Sequence, residues 1–263
     1  MIVLYLRGSI EYSYNLIILI ITFLSYALLG FVDDFLKVRY HNNKGIPTLV
    51  KLFFQTIIAI IFYVIFRKNG GDPTIEITFL HTSINLGWAY GLFILLVLVG
   101  TSNAVNITDG LDGLAGGLSV ITFLAYGVIT WGTTWLTGYQ DIAIFSFVLT
   151  GAIMGFLVFN SYPARVFMGD TGSLALGAAL ATIAILTRHE ISLILIGGVF
   201  VVETLSSLIQ IIAIRKFHKK VFKKAPLHHH FEELGWEEID IVKLFWTIGF
   251  LLSMIGVIYG VWL

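Results

Sequence analysis

The 263-residue chain has no cysteine, only four prolines and few charges. Without cysteine there is no disulfide framework, no thiolate zinc site and no cysteine nucleophile. Charged residues make up 12% of the chain, against ~25% in an ordinary soluble domain. Sixteen Lys and Arg balance sixteen Asp and Glu. The net charge therefore points to no acidic partner, and no nucleic-acid partner is expected. Apolar residues are abundant instead: 57% are hydrophobic, mean hydropathy is +0.91, and they gather in long unbroken runs. That excludes a soluble enzyme, a disordered segment and a repeat solenoid. The chain reads as an all-α, polytopic integral membrane bundle.

A membrane-spanning helix needs about 20 apolar residues. Runs over 16–32, 49–66, 90–105, 114–136, 142–159, 174–186, 191–214 and 242–263 predict eight spans in a single transmembrane domain covering 1–263. Tyr12 and Tyr14 suit an interfacial belt at the first span. Residues 1–8 hold an apolar run too short to cross a bilayer and no cleavage site, which excludes a signal peptide. They read as an interfacial tail, or as the last turn of a helix whose remainder is absent from this chain. Alternate loops divide the basic residues unequally. Twelve (Lys37, Arg39, Lys44, Lys51, Arg165, Arg215, Lys216, Lys219, Lys220, Lys223, Lys224, Lys243) face four (Arg7, Arg67, Lys68, Arg188). By the positive-inside rule the first set is cytoplasmic and both termini are external. Residues 67–90 are then an external loop, in which alternation over 74–79 predicts a small hairpin. Residues 215–241 form the longest cytoplasmic loop.

The polar residues gather on that cytoplasmic side. Asp33 and Asp34, Asp109 and Asp112, and Asp170 all fall near a membrane boundary there, together with His228, His229 and His230. A carboxylate at membrane depth costs about 2.5–3.5 kcal/mol on insertion scales, so such groups usually line a cavity or a site. Asp33 and Lys37 are four apart on one helical face, which an exposed ion pair at a helix end would also explain. An adjacent Asp pair is equally what a divalent metal or a phosphate-activating base requires. Asn103, Asn106, Asp109 and Asp112 recur every third residue. A helix turns through about 180° net over that stretch, so an unbroken helix cannot aim all four at one point. Gly110, Gly113, Gly116 and Gly117 supply a break or a close backbone approach. A glycine-rich packing seam explains those glycines but not the Asp and Asn residues.

Asp170-Thr171-Gly172-Ser173 at a helix start could be a simple N-cap, while the positive end of that helix would favour phosphate oxygens. Phe167 beside Gly169 could offer a face for a flat base, or could merely pack. The basic stretch 215–224 reads as topology and anionic-lipid contact. Three consecutive histidines cannot share one helical face, and with no cysteine beside them they argue against a structural zinc site. Imidazoles near phosphates could donate hydrogen bonds or carry positive charge. Hard oxygen ligands, imidazoles and lysine at an interface are the parts for Mg²⁺-assisted chemistry on phosphates.

Four segments carry a resemblance along essentially the whole chain: 30–37 around Asp33-Asp34, 103–115 around Asn106 and Asp109, 167–173 around Asp170, and 226–232 with its histidines. Together they resemble the phospho-N-acetylmuramoyl-pentapeptide transferases, of the polyprenyl-phosphate N-acetylhexosamine-1-phosphate transferase superfamily. His228-His229-His230-Phe231-Glu232 followed by Gly235-Trp236 resembles the muramoyl-pentapeptide branch. The resemblance implies attack of undecaprenyl phosphate on UDP-MurNAc-pentapeptide, giving lipid I and UMP at the cytoplasmic face of a bacterial inner membrane, with Mg²⁺ as cofactor. It implies Asp170 as the metal ligand, Asp33, Asp34, Asp170 and His229 as catalytic, and Lys37 close to the lipid phosphate. Asn103, Asn106, Asp109, Asp112, Phe167, Gly169, His228 and His230 would bind substrate, and the enzyme would be a homodimer. The family has ten spans and a Pro-Thr-Met-Gly-Gly loop that this sequence does not show. Residues 1–6 resemble the tail of the family's second span.

Two rivals stand beside this. One is a sister transferase using UDP-GlcNAc, against which the histidines and Gly235-Trp236 argue. The other is a secondary transporter, whose site would sit at the bilayer midplane with charges inside spans. Only Glu203 is mid-span, and one such residue is more often glue between helices. A CDP-alcohol phosphotransferase, suggested by the spacing of Asp109 and Asp112, lacks its downstream Ala-Arg and second Asp pair.

Overall fold

The computed structural model of the protein describes residues 13–41, 44–77, 80, 82–132 and 139–262. Residues 1–8 and Tyr12, Thr78 and Phe79 of the alternating segment, residues 133–136 of the fourth predicted span and Leu263 of the last lie outside the described residues. Among the described residues, eight helices are long and apolar enough to cross a membrane. They are α1 (Tyr14–Arg39), α2 (Thr48–Lys68), α3 (Tyr90–Thr108), α4 (Leu114–Gly132), α5 (Tyr139–Asn160), α6 (Gly169–Leu186), α8 (Gly198–Phe217) and α10 (Glu238–Trp262). Two short helices, α7 (Glu190–Ile196) and α9 (Leu227–Glu232), lie between them in sequence. The protein is an all-α polytopic bundle. Its one sheet among the described residues is the hairpin expected in the external loop: β1 (Thr74–Ile77) pairs antiparallel with β2 (Thr82–Asn85), Thr74 opposite Asn85. Arg188, after α6, ties that hairpin down through Asp72 at 2.5 Å and Glu76 at 2.7 Å.

One predicted span is broken. The run over 191–214 is not one helix but α7 and α8, separated at Gly197. The Gly197-Gly198 pair weakens helix continuity there. Ser253 of α10 donates to the Ile196 carbonyl at 3.1 Å, giving that carbonyl a partner outside the helix.

The centre of the bundle is α6, buried without interruption from Ser173 to Leu186. Its run of Ala175, Gly177, Ala178, Ala179, Ala181 and Ala184 is small enough for neighbouring backbones to come close, as membrane helices require where lipid supplies no hydrophobic drive. Gly30 of α1 meets the start of α6 most tightly: a Cβ there would lie 2.1 Å from the Asp170 carbonyl oxygen. Only glycine fits, and that contact brings the last turns of α1, carrying Asp33 and Asp34, against the first turn of α6. Outward-facing side chains such as Leu96 and Val158 are over 70% exposed, as a lipid-facing surface demands.

Candidate active site

Asp33 and Asp34 lie inside the last turns of α1, and Asp170 is the second residue of α6. Ligand oxygens from all three carboxylates fall within 4.8 Å of one another. Two ammonium groups enter the cluster. Lys37 Nζ lies 2.6 Å from Asp33, 3.3 Å from Asp170 and 3.6 Å from Asp34. Lys51 Nζ lies 2.5 Å from Asp170 and 3.2 Å from Asp33. Three carboxylates against two ammoniums leave a net negative site of hard oxygen donors. That composition fits a divalent cation such as Mg²⁺ and does not fit a soft metal.

The two adjacent aspartates do different work. Asp33 is 1% exposed and accepts the Ile46 N–H at 2.7 Å besides its lysines, tying the loop after α1 to the site. Asp34 accepts from the Asp170 N–H at 3.2 Å and from the Thr171 N–H and hydroxyl at 2.8 and 2.6 Å. It caps α6 from a different helix and satisfies first-turn donors that lack intrahelical partners. Asp170 is therefore not an N-cap; it is left to face Lys51, Lys37 and Asn106. Gly169 permits this geometry. Its φ is +65°, and a Cβ would lie 2.7 Å from an Asp34 carboxylate oxygen.

Of the four polar residues spaced by three, two face the cluster. Asn106 donates to Asp170 at 2.8 Å and to Ser173 Oγ at 2.8 Å. The helix breaks at Asp109, and Gly113 follows at φ +78°. Burial first, then the charges of Asp170, Asp34 and Asp112, push the Asp109 carboxyl up to about 7. The other two turn elsewhere. Asn103 donates to Gln55 of α2 at 2.9 Å, one turn deeper. Asp112 accepts the Ala164 N–H at 2.8 Å, holding the α5–α6 loop, and its own N–H donates to Glu238 at 2.7 Å. Phe167 stands 75% exposed on that loop, clear of the cluster's hydrogen bonds.

Because the folded pKa of Asp109 lies above its ordinary 3.8, its stabilising contribution is complete below about pH 4. It is lost as pH rises through about 7. Asp109→Asn is thus expected to melt higher than the wild type at pH 8, by ~2–4 °C for each kcal/mol relieved, with the gap closing at pH 4. Thermal melts in detergent with a chelator check this; a gap that does not change with pH refutes it.

The three histidines separate, as consecutive positions must. His228 points inward and is 1% exposed. His229 contacts Glu232 on α9. His230 accepts the Lys223 N–H at 3.1 Å and stacks edge-on with Phe222, so it belongs to the scaffold of the loop.

Lys51, a topology charge by sequence, belongs to the cluster instead, while Glu203, read as glue between helices, does join α8 to α9 through His228. Both lie on the inward faces of their helices. On α2, Lys51 leads the buried series Gln55, Ala59, Phe62 and Phe66. A polar pair four apart on an apolar helix was the available signal. On α8, Glu203 and Gln210 lie on the buried face and bind the 215–241 loop. Gln210 accepts the Val221 and Phe222 N–H groups, both at 3.0 Å.

The chain is a multi-pass membrane transferase: it belongs to glycosyl transferase family 4, whose model matches residues 16–188. That region holds Asp33, Asp34, Lys37, Lys51, Asn106, Asp109 and Asp170. Within the family it falls among the phospho-N-acetylmuramoyl-pentapeptide transferases. It is 50% identical to the curated enzyme of that name from Geobacillus sp. (strain WCH70) over 246 residues, 94% of this chain and 75% of the relative. It is 49% identical to the one from Bacillus subtilis (strain 168) over 253 residues, 96% and 77% of the two chains.

Proposed function

We propose that the protein transfers phospho-MurNAc-pentapeptide from UDP-MurNAc-pentapeptide to undecaprenyl phosphate, releasing UMP and forming lipid I at the cytoplasmic face. The observation that carries this is the meeting of Asp33, Asp34 and Asp170 with Lys37 and Lys51 at the start of α6. The family membership adds the donor class. An oxygen of the lipid phosphate forms a new bond to the sugar-proximal phosphorus, the bond between the two donor phosphates breaks, and UMP leaves.

Asp33, Asp34 and Asp170 would hold Mg²⁺, which when bound supplies positive charge where three anionic phosphoryl groups must meet. Lys37 and Lys51 add fixed positive charge beside them. Asn106 orients Asp170. A phosphate monoester loses its second proton near pH ~6, so at neutral pH the lipid nucleophile is already largely dianionic. The oxygens of Asp33 and Asp34 are engaged by lysines and N–H groups, which favours positioning over proton abstraction. An apolar groove of about 290 Å³ between α3, α7 and α8, lined by Phe93, Leu96, Val97, Phe200, Val201 and Leu205, supports the lipid assignment. It reaches Ala104, two residues before Asn106, and suits an isoprenoid chain.

The test is UMP release in detergent from undecaprenyl phosphate with either UDP-MurNAc-pentapeptide or UDP-GlcNAc. Mg²⁺-dependent release with the muramoyl donor alone is expected. Release with UDP-GlcNAc alone would assign the sister activity, and silence with both would overturn the reading.

A further inference from the structure

Each carboxylate of the acid cluster commits one oxygen to the scaffold. Asp33 Oδ1 accepts the Ile46 N–H at 2.7 Å and meets Lys51 at 3.2 Å. Asp34 Oδ2 accepts the Thr171 N–H and hydroxyl at 2.8 and 2.6 Å, and Asp170 Oδ1 accepts from Asn106 at 2.8 Å. The three remaining oxygens converge on one atom. Lys37 Nζ lies 2.6 Å from Asp33 Oδ2, 3.3 Å from Asp170 Oδ2 and 3.6 Å from Asp34 Oδ1. Asp33 Oδ2 is buried and accepts no hydrogen bond among the described residues, so this ion pair answers its charge.

Two of the three oxygens have a second partner. Asp34 Oδ1 accepts the Asp170 N–H at 3.2 Å, and Asp170 Oδ2 meets Lys51 at 2.5 Å. The two lysines are nevertheless not equivalent. Lys51 touches one oxygen of the trio and comes from α2 with 17% of its side chain exposed. Lys37 touches all three from the last turn of α1, and with 31% exposed it has a path out of the cluster. One oxygen from each aspartate is also the donor set proposed above for Mg²⁺, whose bonds to oxygen are about 2.0–2.1 Å. The Lys37 ammonium stands in that same seat. Two cations so close repel strongly even at a protein's effective dielectric. A lysine ammonium, a point charge on a flexible four-carbon stem, is the one that can turn away.

We infer that Lys37 and the divalent cation exchange: metal entering the oxygen trio turns the Lys37 ammonium outward, where it meets a phosphate oxygen of a substrate. Lys37 is a substrate-positioning residue whose placement depends on the metal, and at this lysine the metal binds before the phosphate does. The inference rests on the transferase reading above and concerns the order in which that site is assembled.

The test reads the lysines directly. Wild-type protein in detergent is acetylated briefly at constant pH and ionic strength, with Mg²⁺ or with Na⁺, and each lysine is quantified by mass spectrometry. Mg²⁺ is expected to speed labelling of Lys37 at least ~5-fold and that of Lys51 less than about 2-fold, as the outward population of Lys37 grows. Lys243, exposed on α10, is the reference. Mg²⁺ that speeds both lysines alike, or neither, would overturn the exchange. With Mg²⁺ present, undecaprenyl phosphate or UDP-MurNAc-pentapeptide should slow Lys37 labelling again, and the one that does so supplies the phosphate. Protection by neither would overturn the phosphate contact. Mn²⁺ affinity, followed by the free-ion EPR signal, gives a second reading: Lys37→Met should bind at least ~10-fold tighter than wild type, its competing charge being gone. Binding no tighter than wild type would also overturn the exchange. UMP release silent with both donors, beside a clear Mg²⁺ response at Lys37, would overturn the transferase reading and leave the exchange standing; release without that response would do the reverse.

Discussion

Asp170→Asn is expected to lower UMP release by at least ~10³-fold while the protein still folds and runs as wild type on size exclusion. The substitution is isosteric. Its remaining carbonyl oxygen can still accept from Asn106, which donates to Asp170 Oδ1 at 2.8 Å. What changes is the other atom: an amide NH₂ would face Lys51 Nζ, now 2.5 Å from Oδ2, and Lys37 Nζ at 3.3 Å. Donor would meet donor. The site would also hold two carboxylates against two ammoniums, and its attraction for a divalent cation would fall with that lost charge. Removing one preorganised electrostatic partner typically costs ~10²–10³ in kcat, and a metal ligand lost at the same time adds to it. The measurement is initial-rate UMP release across a Mg²⁺ titration. Activity within ten-fold of wild type at saturating Mg²⁺ would remove Asp170 from the centre of the site.

Lys51→Met is expected to reduce kcat by ~10²-fold and to lower the melting temperature as well. Its ammonium separates Asp33, 1% exposed, from Asp170, 13% exposed, and it is the closest cation to the latter. Without it Lys37 alone faces three carboxylates. Breaking a buried ion network by deleting one partner is costly because the remaining charges stay desolvated. Lys51→Arg keeps the charge but replaces a compact ammonium by a planar fork, and should recover stability better than rate. Rates and melts of the three proteins decide it. A Lys51→Met enzyme near wild-type rate would mean that Lys37 alone supplies the positive charge.

That second prediction could not have been drawn from the sequence, and the reason is instructive. The spans were legible because lipid imposes a length and a composition on each one. The carboxylates were legible because acidic residues at membrane depth are rare, so Asp33, Asp34 and Asp170 stood out. Lysines near a membrane have an ordinary explanation in topology, and Lys51 was absorbed by it. Asn103 and Asp112 are a different case. The resemblance gives them a substrate role beside Asn106 and Asp109, but Asn103 lies one turn deeper on α3 and Asp112 lies beyond the end of that helix. Asn103 ends up on Gln55 and Asp112 on the Ala164 backbone. A repeat of three says which residues could be neighbours; depth along α3 sets Asn103 apart, and the turn after Thr108 sets Asp112 apart. Glu203 was visible as an anomaly, but its partner lies on a short helix 25 positions away, and no local pattern links the two.

The central helix has a consequence for how the protein is made. Among the described residues, α6 is the least apolar of the eight spans, with a mean hydropathy of 1.5, and the most enclosed, 78% buried. A segment that is rich in alanine and glycine and carries Asp170 in its first turn is a weak candidate for partition into lipid on its own. Its permanent surroundings are α1 and α3, both earlier in the chain. During synthesis those two helices are in the bilayer before α6 emerges, and Asp34 is already waiting to neutralise its first turn. The helix that bears Asp170 thus finds its two main packing partners, α1 and α3, ahead of it in the chain.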